Sequence, residues 1–158
     1  MYEINFEGVN LRWINKEMIC SIVGCCYLLV LSVQDFRERM ISGMLLAVGA
    51  AAAVGSQIIW NRYSVWECIG GLLIGLLFIG ISRLTRESLG YGDSILITIL
   101  GIYIGVWNLM YVLLIAFLLS AICAVLILIK FCFHRKKALP FIPFLTVGYM
   151  SFVLLEVL

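Results

Sequence analysis

Long apolar runs separated by short polar segments dominate the hydropathy pattern of this chain. Each run approaches the roughly 20 residues that a helix needs to cross the hydrocarbon core of a bilayer. Because the runs are continuous and do not alternate with a period of two, they predict membrane helices and not the strands of a barrel. The pattern therefore predicts an all-α integral membrane protein, a bundle of about six transmembrane helices at residues 18–158, after a polar N-terminal segment at residues 1–17.

The longest apolar run, from Ser94 to Ile129, is too long for one span. As a single helix it would measure about 55 Å, against a hydrocarbon core of about 30 Å. We expect a break at Trp107-Asn108, since tryptophan favours the membrane interface and asparagine lowers helix propensity. The six predicted spans, each end accurate to a few residues, then cover residues 18–33, 42–60, 65–82, 94–106, 109–129 and 139–157.

Composition agrees with the membrane assignment and excludes several functions. Hydrophobic residues make up 64% of the chain and charged residues 13%, whereas soluble domains are about half apolar. The net charge of +2 gives no indication of nucleic-acid binding. The six cysteines have no paired CxxC spacing, so neither a zinc cluster nor any other metal or cofactor is expected.

The distribution of lysine and arginine predicts the orientation. With six spans, eight of these residues follow the first, third and fifth spans, and three lie on the other side. Positive residues are enriched on the cytoplasmic side of membrane proteins, so we expect the eight in the cytoplasm and the N-terminus outside. If the long run were one helix, the balance would reverse to seven against four. The eight residues are Arg37, Arg39, Arg83, Arg86, Lys130, Arg135, Lys136 and Lys137.

The chain contains only two aspartates, Asp35 and Asp93. Taken alone, Asp93 before an apolar helix is typical of an N-cap, and Asp35 beside Arg37 is typical of a solvated loop. Both aspartates nevertheless fall at the ends of predicted spans, and they share a side whether or not the long run is divided. Their joint occurrence favours a common site.

Two adjacent carboxylates can perform acid and base chemistry together. They cannot both ionise cheaply, so one holds a proton while the other stays charged, as in aspartic proteases. The charged group can deprotonate a water molecule while the other protonates a peptide carbonyl. Gly90 and Gly92 would allow a tight turn and close approach of a substrate beside Asp93. From the spacing alone, binding or transport of a proton or cation stays open as an alternative.

Three segments resemble motifs of one family. Residues 90–93, Gly-Tyr-Gly-Asp, resemble the GxGD motif of the type IV prepilin peptidases, membrane aspartic proteases of bacteria with archaeal relatives. Asp35, six residues before Ile41, resembles the family's other aspartate motif. Residues 140–145, Pro-Phe-Ile-Pro-Phe-Leu, are similar to its PxGPFL segment. The chain departs from the family pattern at Ile95, where lysine is usual, at residues 41–43, which replace Ile-Pro-Asn, and at Ile142, where glycine is frequent.

The resemblance implies an endopeptidase that removes a short basic leader from prepilin-like or pseudopilin-like membrane proteins. It implies a multi-pass protein of the inner (cytoplasmic) membrane whose active site faces the cytoplasm. The cysteine-bearing insertion of the long, N-methylating members is absent, so we expect cleavage without methylation. The implied catalytic residues are Asp35 and Asp93, and the implied site-shaping or substrate-binding residues are Gly90, Tyr91, Gly92, Pro140 and Pro143.

Other interpretations remain at this stage. Presenilin and signal-peptide-peptidase proteins also use a GxGD motif, but those chains are longer and have more spans. A small carrier or an inactive scaffold of the same fold is the alternative from another class. The sequence makes no prediction of oligomeric state.

Overall fold

A computed structural model of the chain describes residues 6–38, 42–60, 62–84, 90–130 and 140–157. Within these ranges the protein is all-α and no strand is present, which confirms the predicted fold class. The five helices are α1 (Phe6–Glu38), α2 (Gly43–Trp60), α3 (Val65–Leu84), α4 (Tyr91–Lys130) and α5 (Ile142–Val157). Ile41 and the basic residues 135–137 lie outside the described residues.

Helix α4 folds back on itself at Gly105. Gly105 has φ 75° and ψ 169°, a backbone region that is essentially restricted to glycine. The Ser94 hydroxyl, before this glycine, donates a hydrogen bond to the Phe78 carbonyl of α3 at 3.4 Å. The Phe117 ring, after it, stacks on the Phe78 ring with centroids 5.9 Å apart. The two halves of α4, residues 91–104 and 106–130, therefore run in opposite directions along α3.

The predicted division of the long apolar run is thus present, although it lies two residues before Trp107. Counting the halves of α4 separately gives six apolar helical segments. Four of the described helices are long and apolar enough to cross a membrane, and α5 is a shorter apolar helix. The protein is a multi-pass membrane protein.

Close packing of α3 against the first half of α4 depends on glycine. A methyl group on Gly71 would overlap the Gly101 backbone, and one on Gly75 would overlap Thr98. Small residues at this four-residue spacing let the two helix backbones approach closely. This packing positions the start of α4 beside the end of α3.

The second half of α4 is buried on one face near its start. Leu109, Val112, Leu113 and Ala116 are buried at intervals of three and four residues, the spacing of one helix face. Among residues 117–129 none is buried. Apolar side chains exposed over three turns are expected of a helix that contacts lipid.

Both aspartates lie within helices and not in the loops that the sequence predicted. Helix α1 continues past Val33 to Glu38, so Asp35 is in its last turns, and α4 begins at Tyr91, so Asp93 is in its first turn. Hydropathy predicts loops at short charged segments, but a helix can continue beyond its apolar part, as α1 and α4 do here. We call the end of the bundle that carries Asp35 and Asp93 the aspartate end.

Candidate active site

Asp93 is the third residue of α4, and Gly90 occupies the N-cap position. The Ser94 amide donates to the Gly90 carbonyl at 3.2 Å, which is the first hydrogen bond of the helix. The N-cap role considered for Asp93 therefore belongs to Gly90. A carboxylate in the first turn of a helix is stabilised by the positive end of the helix dipole. The local sequence thus favours an acid at this position.

Asp35 occupies the less favourable end of its helix. It lies near the C-terminus of α1, where the helix dipole is negative, and it is buried, with 8% of its surface exposed. Its carboxylate accepts a hydrogen bond from the backbone amide of Ile142, the first residue of α5. The N-terminus of α5 therefore compensates for the unfavourable position.

One oxygen of Asp35 has no hydrogen-bond partner among the residues that the structure describes. This oxygen is the buried Oδ2 atom. Most buried polar atoms in proteins are paired, and exceptions frequently mark sites of chemistry. Oδ2 is therefore an acceptor that a substrate or a water molecule can use.

The structure brings the two aspartates together. Asp35 and Asp93 lie close enough for their charges to interact, although 57 residues lie between them in the chain. The C-terminal end of α1, the first turn of α4 and the first residue of α5 meet at this point. The three segments that resemble family motifs therefore converge at one end of the bundle.

Aromatic and hydroxyl contacts hold α5 at this position. The Phe141 ring lies against Phe117 with centroids 5.2 Å apart, and Phe117 in turn stacks on Phe78. The Thr146 hydroxyl donates to the Leu28 carbonyl of α1 at 3.3 Å. Helices α1, α3, α4 and α5 are thus joined just below the aspartates, and this fixes the direction of the Ile142 amide.

The other predicted site residues differ in their placement. Tyr91 begins α4 and is exposed, and Gly92 is half-buried beside Asp93. Pro140 precedes α5 by two residues, Pro143 lies within its first turn, and both are half-buried. Pro143 is the second residue of α5, where its missing N–H costs nothing because that amide would have no partner within the helix.

The Ile142 amide was not predicted as a functional group. Pro140 and Pro143, which flank Ile142 in the sequence, indicate the start of a helix, since proline favours the first turn. That signal locates an N-terminus with free amides but does not show what they face. The direction toward Asp35 depends on how α5 packs against α1 and α4.

A second polar cluster lies at the opposite end of the bundle. Arg62 Nη2 lies 3.5 Å from Glu156 Oε1, and the Ser21 hydroxyl donates to the other Glu156 oxygen at 3.3 Å. These contacts connect α1, the turn before α3 and the end of α5. Within the residues that the structure describes, no three His, Cys, Asp or Glu side chains cluster as a metal site requires.

A methyl group in Gly90→Ala is expected to displace the Asp93 carboxylate. For the peptidase activity that the family resemblance implies, this displacement would lower the cleavage rate about tenfold, since displacements well under 1 Å matter for aligned catalytic groups. The methyl would lie 3.0 Å from Asp93 Oδ2 and 3.3 Å from its Cγ. Positive φ occurs only at Gly105 among the described glycines, so the effect is one of space and not of backbone strain.

The matched control is Gly80→Ala in α3, where a methyl group would meet nothing within 4 Å. Steady-state cleavage and thermal unfolding of both variants check the prediction. Equal rates for the two variants would contradict the proposed contact.

These features define a class: a multi-pass helical membrane protein that holds two acidic side chains from different helices at one end of its bundle. The chain belongs to the type IV leader peptidase family, whose model matches residues 22–125. That range includes Asp35 and Asp93 and ends before Pro140. Comparisons with curated proteins and with solved structures found no match. Membership of this family implies that the protein is a peptidase.

Proposed function

We propose that the protein is an aspartic endopeptidase that removes the short basic leader of prepilin-like or pseudopilin-like membrane proteins. The observation that carries the proposal is the proximity of Asp35 and Asp93, the only aspartates of the chain, on α1 and α4. Membership of a peptidase family favours this function over a carrier of the same fold.

The two carboxylates can hydrolyse a peptide bond while sharing one proton. The ionised carboxylate takes a proton from water as the water oxygen attacks the carbonyl carbon, and the protonated carboxyl gives its proton to the carbonyl oxygen. The C–N bond then breaks, and the nitrogen takes up the proton first removed from water. The new carboxyl group forms as the tetrahedral hydroxyl returns its proton, so the pair is restored without a cofactor.

The distribution of positive charge supports one orientation of the site in the membrane. Arg37 and Arg83 end α1 and α3 at the aspartate end, while Arg62 lies at the opposite end. Eight of the eleven lysines and arginines are predicted to lie on the side of the aspartates, and this excess supports a cytoplasmic location for the site. In this orientation the protein meets a leader before the leader can cross the inner membrane.

The function is tested with the purified protein in lipid vesicles and a substrate that carries a basic leader, a glycine and an apolar helix. We expect one cut between the leader and the helix, detected as two product masses. With a methyl donor present, the new N-terminus should remain unmethylated. Intact substrate after prolonged incubation would contradict the proposal. A product heavier by one methyl group would contradict the expectation of cleavage without methylation.

A further inference from the structure

An apolar pocket opens toward the membrane between α1, α2 and the first half of α4. It encloses about 180 Å³. Its floor includes the buried residues Leu28, Ala53 and Leu100, while Val23 and Val48 at its rim are more than half exposed. An apolar cavity of about 150 Å³ is large enough to bind benzene. The pocket therefore has room for one large apolar side chain that enters from the membrane.

Small residues on α2 create this space. Gly49, Ala52 and Ala53 line the pocket and present almost no side-chain volume to it. Tyr27 of α1 donates to the Leu45 carbonyl at 3.0 Å, so the two helices remain connected beside the opening. The pocket is thus a defined concavity between joined helices and not a gap between separate ones.

The pocket shares its walls with the aspartates. Leu28 precedes Asp35 by seven residues on α1, and Leu100 follows Asp93 by seven residues on α4. At the rise of an α-helix, the near edge of the pocket lies about 10 Å from the carboxylates along the bundle. The two helices that carry the aspartates therefore lead directly from the carboxylates to the pocket.

We infer that this pocket binds a large apolar side chain of the substrate's own membrane helix, on the segment that follows the cleaved bond. The inference rests on the proposed function. A substrate helix that starts at the carboxylates and runs beside α1 would present to the pocket a side chain about 7 to 11 residues beyond the cleaved bond. Burial of that side chain would align the scissile bond with the carboxylates and select substrates by their helix.

Ala52→Phe tests the inference, because a phenyl ring at this position would fill the pocket from its α2 side. The expected result is an increase in KM of about tenfold for a substrate with a membrane helix, since one large apolar contact is lost, with kcat little changed. Ala51→Phe is the control: it is the neighbouring exposed alanine of the same helix, and it does not line the pocket. Ala51→Phe should keep the wild-type KM.

Two further measurements make the result specific. A soluble peptide that carries the scissile bond without the membrane helix should be cleaved equally by the wild type and by Ala52→Phe. The second measurement replaces the substrate residues at positions 7 to 11 after the bond with alanine, one at a time. One of these replacements should raise KM for the wild type but not for Ala52→Phe, which is the coupling expected of two contacting side chains.

Each contrary outcome has a separate meaning. If the wild type cleaves but Ala52→Phe and Ala51→Phe have the same KM, the pocket does not bind the substrate. A lipid acyl chain would then be its remaining occupant. Equal losses on the soluble peptide would overturn the pocket's role too, since the effect would then arise at the carboxylates. Failure of the wild type to cleave would instead overturn the proposed function, and the pocket's role with it.

Discussion

Asp35→Asn and Asp93→Asn are each expected to reduce kcat for leader removal by a factor of about 10³ or more, since each carboxyl would act both as acid and as base during one turnover. Asparagine has nearly the shape of aspartate but can neither accept nor release the proton. Because the proposed mechanism uses Asp35 and Asp93 as a unit, the double variant should be no slower than the slower single variant. Single-turnover cleavage with enzyme in excess measures these rates directly.

A carboxylate at the opposite end of the bundle provides the control. Glu67 is in the first turn of α3, and Glu67→Gln makes the same chemical change far from Asp35 and Asp93. We expect it to keep the wild-type rate, and we expect both asparagine variants to bind substrate normally. Wild-type cleavage by either asparagine variant would exclude the two-aspartate mechanism.

The class of the protein and its two principal acids could be predicted because both are local patterns. Apolar runs of membrane-spanning length can be read directly from hydropathy. Asp35 and Asp93 are conspicuous because aspartate is otherwise absent from the chain. Their shared side of the membrane could also be predicted, because two spans, an even number, separate them in the chain.

Contacts between distant segments could not be predicted in the same way. The reversal of α4 was assigned to Trp107 from interface preference, whereas the structure turns at Gly105, where a positive φ favours glycine. A glycine within an apolar run is ambiguous in sequence, since the chain also uses Gly71 and Gly75 for helix packing. Only the packed structure distinguishes a turn from a contact.

The approach of α5 to Asp35 is the clearest case of such a contact. Phe141 is the N-cap of α5, because the Phe144 and Leu145 amides donate to its carbonyl at 3.1 and 3.2 Å. Ile142 is therefore the first helical residue, and its amide has no partner within the helix. It donates to Asp35 instead, so a backbone group that any residue except proline provides becomes a positioning group for the site.

Ile142→Pro is expected to lower kcat about ten- to hundredfold relative to Ile142→Ala, because a hydrogen bond to a charged group contributes about 1.5 to 3 kcal/mol. Both variants lose the buried isoleucine side chain, but only proline also removes the amide hydrogen. Proline is favoured at the first position of a helix, so α5 should still form. Steady-state kinetics should show the difference in kcat and not in KM.

A purely structural role for Ile142 would give another result. In that case Ile142→Pro and Ile142→Ala would lose similar amounts of thermal stability and would cleave at similar rates. The hydrogen bond to Asp35 also predicts an interaction between sites. In the Asp35→Asn background, where the charged acceptor of the Ile142 amide is gone, the two Ile142 variants should have the same residual rate. A persistent difference in that background would mean that the Ile142 amide acts on something other than Asp35.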